Sequence, residues 1–210
     1  MRLVPLTIKK NYLVIFTILI IAILTSFSIM KAPLEVRYFS RYIFWFAFFP
    51  ISIISTLVST EYRINDIFLY KRREIIAYQN FFQTISLQML LWGIWVFLTF
   101  IGASVHFDIN GLEILNLISK SIYILLDQIL LASVSLIVYF ASNNKNIAFF
   151  GAFILCSISF LLNVNHYFSL IFDFINPMTM MIAIAHFLIL IGLIFMFFNV
   201  LRVLILWRDF

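Results

Sequence analysis

The chain has 210 residues, of which 64% are hydrophobic and 11% charged, with a formal net charge of +5 and a mean hydropathy of +1.10. A water-soluble domain of this size leaves too much of its surface exposed to hide so many apolar side chains, so lipid is the expected solvent for most of the chain. Gly and Ala are scarce beside Ile, Leu and Phe, which limits close small-xxx-small helix contacts.

A hydrocarbon core about 30 Å thick takes roughly 20 consecutive apolar residues in helical form. Arg2, Lys9 and Lys10 precede a first apolar run, 12–30. It is long enough to span and is followed by no small-x-small cleavage site, so an uncleaved first helix is expected. A second run covers 38–57 and contains Pro50. The third is 82–104, followed by a short connector with His106, Asp108 and the turn pair Asn110-Gly111. The fourth, 117–141, carries Asp127 and Gln128, and the polar turn Ser142-Asn143-Asn144-Lys145-Asn146 joins it to the fifth, 147–164. The sixth, 180–205, contains His186. Continuous apolar runs rather than alternating ones predict helices and not a barrel.

The expected fold is an all-α integral membrane protein with six transmembrane helices in a single domain, 1–210. Lys and Arg set the orientation. With the N-terminus inside, ten of the 14 fall on cytoplasmic segments, and Lys31, Arg37, Arg41 and Lys120 fall outside. Both termini are then cytoplasmic. The membrane expected is the bacterial plasma membrane.

Two connectors stand out. The outer one, 163–179, is too long and too apolar for a simple turn. Its Tyr167, Phe168, Leu170, Ile171, Phe172 and Phe174 suit a re-entrant or interfacial hairpin ended by Asn176-Pro177. The cytoplasmic one, 61–80, places Ile64, Ile67 and Phe68 at helical spacing and follows them with Lys71-Arg72-Arg73-Glu74. It reads as a positive-inside anchor, as an amphipathic helix on anionic headgroups, or as a coupling element against a partner protein.

Six spans, internal termini and this charged link between spans two and three resemble the membrane subunit of ABC transporters of the type-2 exporter class. In that resemblance Glu61 takes the acidic position, and Leu69-Tyr70-Lys71-Arg72-Arg73-Glu74-Ile75-Ile76 runs into span three. It implies that Glu61, Ile64, Phe68, Lys71, Arg72, Arg73 and Glu74 form the ATPase-coupling surface. It also implies a cytosolic ATP-binding subunit and a second permease subunit, with outer re-entrant helices near 167–177. The chain has no Gly-x-x-x-x-Gly-Lys-Ser/Thr loop to cradle a nucleotide, so the energy is expected from a separate chain. The expected cargo is hydrophobic or amphipathic: a peptide, an antibiotic or a lipid-like molecule. The alternative is a non-transporting immunity or assembly factor that binds another membrane protein.

A carboxylate at mid-bilayer depth costs on the order of 3 kcal/mol, which makes Asp127 the sharpest single residue. It reads as a cation, proton or substrate contact, or as a hydrogen-bonded tie between helices. Gln128 and Ser135 complete the pathway candidates, Ser135 alternatively bonding back to its own helix. The single cysteine, Cys156, permits no internal disulfide or thiolate metal site. No metal-binding or hydrolytic constellation is present, and neither catalytic residues nor a cofactor is expected. Nucleic acid is not an expected partner. Tyr38, Tyr42, Trp45, Trp92, Trp95, Tyr123, Tyr139 and Trp207 are expected to anchor the spans at the interfaces.

Overall fold

A computed structural model describes residues 39–60, 73–106, 111–173 and 180–207. The expected first span, 12–30, lies outside these residues, as do 61–72 of the basic connector and both chain ends. What is described is all-helical apart from turns and one irregular segment. Five helices are long and apolar enough to cross a membrane: α1 Arg41–Ser59, α2 Arg73–His106, α3 Gly111–Ser142, α4 Lys145–Val164 and α5 Met180–Trp207. They correspond to the expected second to sixth runs.

Helix α1 widens into a π turn over Phe44–Phe48, with the Phe49 N–H donating to the Phe44 carbonyl. Pro50 explains it. A proline has no N–H for the carbonyl four residues back and its ring crowds that carbonyl, so the turn before it loosens. The widened turn points Phe44 and Phe48 inward, where both pack against Trp95 of α2. Trp95 is buried, and Tyr139 nearly so, in contrast to the interfacial anchoring expected of both. Tyr42 and Trp207 are exposed.

Helix α2 is already formed at Arg73, the first residue described after the connector, and not only from 82. With 34 residues it is about 51 Å long, well beyond a hydrocarbon core of about 30 Å. The second half of the basic connector is therefore the first turns of the spanning helix itself. Polar side chains lock α1 to α2. Ser52 Oγ donates to Gln88 Oε1 at 2.6 Å, and Gln88 Nε2 donates to Thr56 Oγ1 at 2.8 Å.

Helix α3 is the centre of the bundle, with 67% of its apolar window buried, and packs on the other four helices. The turn to α4 is tight. Asn143 takes the left-handed conformation (φ 57°), and the Asn144 side chain caps α4 by accepting from the Asn146 and Ile147 N–H groups. Helix α5 is the peripheral member, with 11% of its window buried. Interhelical bonds reveal an up-and-down arrangement. Arg41 meets Asn163 and Tyr123 meets Ala183 toward one end of the bundle, and Glu74 meets Arg202 toward the other.

Candidate functional site

Asp127 lies on the most enclosed helix, ten residues after Leu117, where the apolar window of α3 begins. At about 1.5 Å per residue it is roughly 15 Å into that window, near the middle of a membrane-sized span. It is 1% exposed. What faces it is backbone. After α4 ends at Val164 the chain reverses through His166 (φ 61°) and turns back into the bundle as an irregular segment, 165–173. Ser169, Ile171, Phe172 and Asp173 are all buried.

Three helices hold the tip of this segment. The Phe172 N–H donates to Asp127 Oδ2 of α3 at 3.3 Å. The Phe172 carbonyl accepts from Asn163 Nδ2 at the end of α4, at 3.1 Å. The Leu170 carbonyl pairs with His186 Nε2 of α5 at 3.2 Å. A fourth helix joins through Asn163, whose backbone and side-chain oxygens each accept from Arg41 Nη1 of α1 at 3.2 Å. Within the segment, the Ser169 hydroxyl bonds the Ile171 carbonyl, and Asp173 Oδ1 accepts from the Ser169 N–H and hydroxyl. Irregular backbone at this depth is tolerated only where protein groups satisfy its donors and acceptors, and these bonds do so.

The segment also carries strain. Phe172 has φ 78°, a region that costs a residue with a β-carbon about 1–3 kcal/mol and persists only when its surroundings enforce it. The enforcement comes from packing on both sides of the ring, edge-on to Phe49 of α1 at 5.3 Å and to Phe160 of α4 at 5.8 Å.

The electrostatics are one-sided. Asp173 lies close enough to act on the Asp127 charge, and Cys156 of α4 lies within the field of Asp127. Among the described residues no cationic side chain reaches Asp127, and its Oδ1 has no hydrogen-bond partner. Gln128, one position on, is fully buried, and neither end of its amide is bonded. It points about 100° around the helix from Asp127, so the two do not share one face. Ser135 donates to the Ala132 carbonyl of its own helix at 2.8 Å. His186 is packed rather than exposed, its ring stacked on Tyr123 at 5.7 Å.

Of the expected coupling residues, Glu61, Ile64, Phe68, Lys71 and Arg72 lie outside the described residues. Arg73 opens α2, and Glu74 in its first turn pairs with Arg202 of α5. Arg41, Asn163, Phe172 and Asp173 were not among the site residues expected from sequence. Their one signal is polar residues bracketing an apolar connector. No group of three or more His, Cys, Asp or Glu able to hold a metal occurs among the described residues. Comparison with protein-family models, with curated proteins and with solved structures gives no match.

Proposed function

We propose that this chain is the permease subunit of an ABC-type exporter, driven by a separate cytosolic ATPase and paired with a second permease subunit. The observation that carries the reading is α2. It runs unbroken from Arg73, inside the basic connector, through the whole span to His106. A push applied at Arg73 or beyond reaches the spanning helix as movement of one continuous rod. The Glu74–Arg202 pair ties the start of that rod to the far end of α5, so the two helices would move together.

Two further features support it. The inward-turned segment 165–173 lies before the last spanning helix, where exporters of this class have re-entrant helices. The weakly buried α5 offers a long apolar face to a second permease subunit or to lipid. The cargo that suits such a chain is hydrophobic or amphipathic, because the described spans are apolar and most of their polar groups are already bonded within the bundle.

The test is purification of the tagged chain from its own membrane in gentle detergent, beside a Glu61→Arg, Arg72→Glu double variant. An ATPase that accompanies the wild type and is lost from the variant supports the permease reading. A chain that emerges alone, or with a membrane partner that hydrolyses no ATP, overturns it in favour of an assembly or immunity factor. The exposed face of α5 would suit that role equally.

A further inference from the structure

We propose that Asp127 is an exchangeable proton-binding site, and that the bound proton holds the 169–173 segment docked in the centre of the bundle. A carboxylate buried on all sides in a medium without water needs a compensating positive charge. Among the described residues, none is seen to provide one, and Lys120, two turns back on α3, lies over the Phe39 ring. The irregular segment contributes a single N–H, from Phe172, and a second carboxylate, Asp173. Helix α4 contributes the Cys156 thiol. The cation of α1, Arg41, is turned to Asn163, and the imidazole of α5, His186, is turned to the Leu170 carbonyl. Tyr123, one turn away on α3, donates its hydroxyl proton to the Ala183 carbonyl.

The two carboxylate oxygens are unequal. Oδ2 is the acceptor for Phe172, and Oδ1 has no partner. Oδ1 is therefore the atom that takes the missing positive charge. A proton fits this place better than a metal ion. It needs no coordination shell, whereas the carbonyls of Leu170, Ile171 and Phe172 already accept from His186, Ser169 and Asn163. Binding converts the carboxylate to a neutral carboxylic acid with no other bond made or broken. Release leaves a negative charge at Oδ1 that the docked segment does not solvate, which favours undocking and the entry of water. The proton is thus a latch between α3 and the segment ahead of α5. Such a proton site requires no ATPase partner.

The experiment uses the full chain in native membrane vesicles and the hydrophobic carbodiimide dicyclohexylcarbodiimide, which adds to buried carboxylic acids in their protonated form. Modification is located by mass spectrometry from about pH 5 to about pH 9, with choline, Na⁺ or Li⁺ as the salt cation. The expected result is adduct at Asp127, lost in Asp127→Asn, indifferent to the salt cation, and slowing about tenfold per pH unit above its midpoint. Infrared spectra of the same vesicles decide where the reagent fails to reach the site. The wild type should show a protonated-carboxyl band that moves in D₂O and is missing from Asp127→Asn. No such band and no adduct would mean a charged carboxylate and overturn the proposal. Protection by Na⁺ or Li⁺ would replace the proton by an alkali cation and overturn it too. A band unmoved by D₂O and by pH would mean a fixed structural proton, and the latch would fall. Equal size-exclusion profiles for wild type and Asp127→Asn establish that the variant folds.

Discussion

Asp127 and Phe172, 45 positions apart, are joined by a hydrogen bond from a main-chain N–H to a buried carboxylate at 3.3 Å. The bond couples the most enclosed helix of the bundle to the least regular part of the described chain. It gives one buried carboxyl group two roles. Asp127 satisfies a backbone donor that hydrocarbon would leave bare, and it makes the position of the segment depend on its own charge state.

Asn163 is the second clip, and its loss should loosen the segment more than any single helix contact. Asn163→Ala removes the donor to the Phe172 carbonyl and one acceptor of Arg41. Stranding buried polar groups costs about 1–3 kcal/mol. The expected outcome is local undocking: with Cys156→Ala as background, a Ser169→Cys thiol, buried in the parent fold, becomes reactive to maleimide. An unchanged maleimide rate at fixed pH would show that Asp127 and the Phe172 packing suffice without Asn163.

Glu74 and Arg202 give a contrasting expectation. Both side chains are well over a third exposed, at 41% and 38%, so the pair gains little from desolvation. An exposed pair is screened by solvent and contributes little to stability. Glu74→Gln should therefore leave the denaturation midpoint of the purified chain almost unmoved. If ATPase coupling is nonetheless lost, Glu74 acts on transmission and not on stability. A large fall in stability would mean that the pair is a structural clamp.

The five described spans were legible in the sequence because each contains a mostly apolar run of spanning length. The π turn was less so. Pro50 signals a disturbance, but whether it appears as a kink or a widened turn depends on what the rotated side chains meet, here Trp95. Asp127 was conspicuous as a charge in an apolar run, yet its partner had no signature. A main-chain N–H can come from almost any residue, and Phe172 looks like every other phenylalanine in the chain. The helical state of 73–81 was also hidden, because the charges at Arg73 and Glu74 mark a membrane boundary and a helix can extend past such a boundary. The Glu74–Arg202 pair, 128 positions apart, required the packing of α5 on α2 to be known.

The clamp between α1 and α2 tests how much a satisfied polar network adds inside such a bundle. Gln88→Leu deletes the bonds to Ser52 and Thr56. Thr56 already donates to the Ser52 carbonyl, and Ser52 can turn to its own helix. Interhelical hydrogen bonds in membranes average about 0.6 kcal/mol, with about 1.7 at most. The expected shift in unfolding free energy is within that range. A greater loss would show that Gln88 sets the register of the two helices beyond its pairwise bonds.

Gln128 should behave in the opposite sense. Its amide is fully buried on α3 with nitrogen and oxygen both unbonded, the least favourable arrangement for a polar group in an apolar interior. Replacing such a group by a hydrocarbon of similar size removes a penalty of about 1–3 kcal/mol. Gln128→Leu is therefore expected to raise the unfolding midpoint, measured by thermal or denaturant titration in detergent. Its activity separates two origins of the orphaned amide. If the chain exports as proposed, a variant that is more stable and still supports export would mean that Gln128 is tolerated frustration. One that is more stable and inactive would mean that the amide meets a partner absent from the resting bundle, such as cargo or a moving helix. A less stable variant would contradict the unbonded geometry itself.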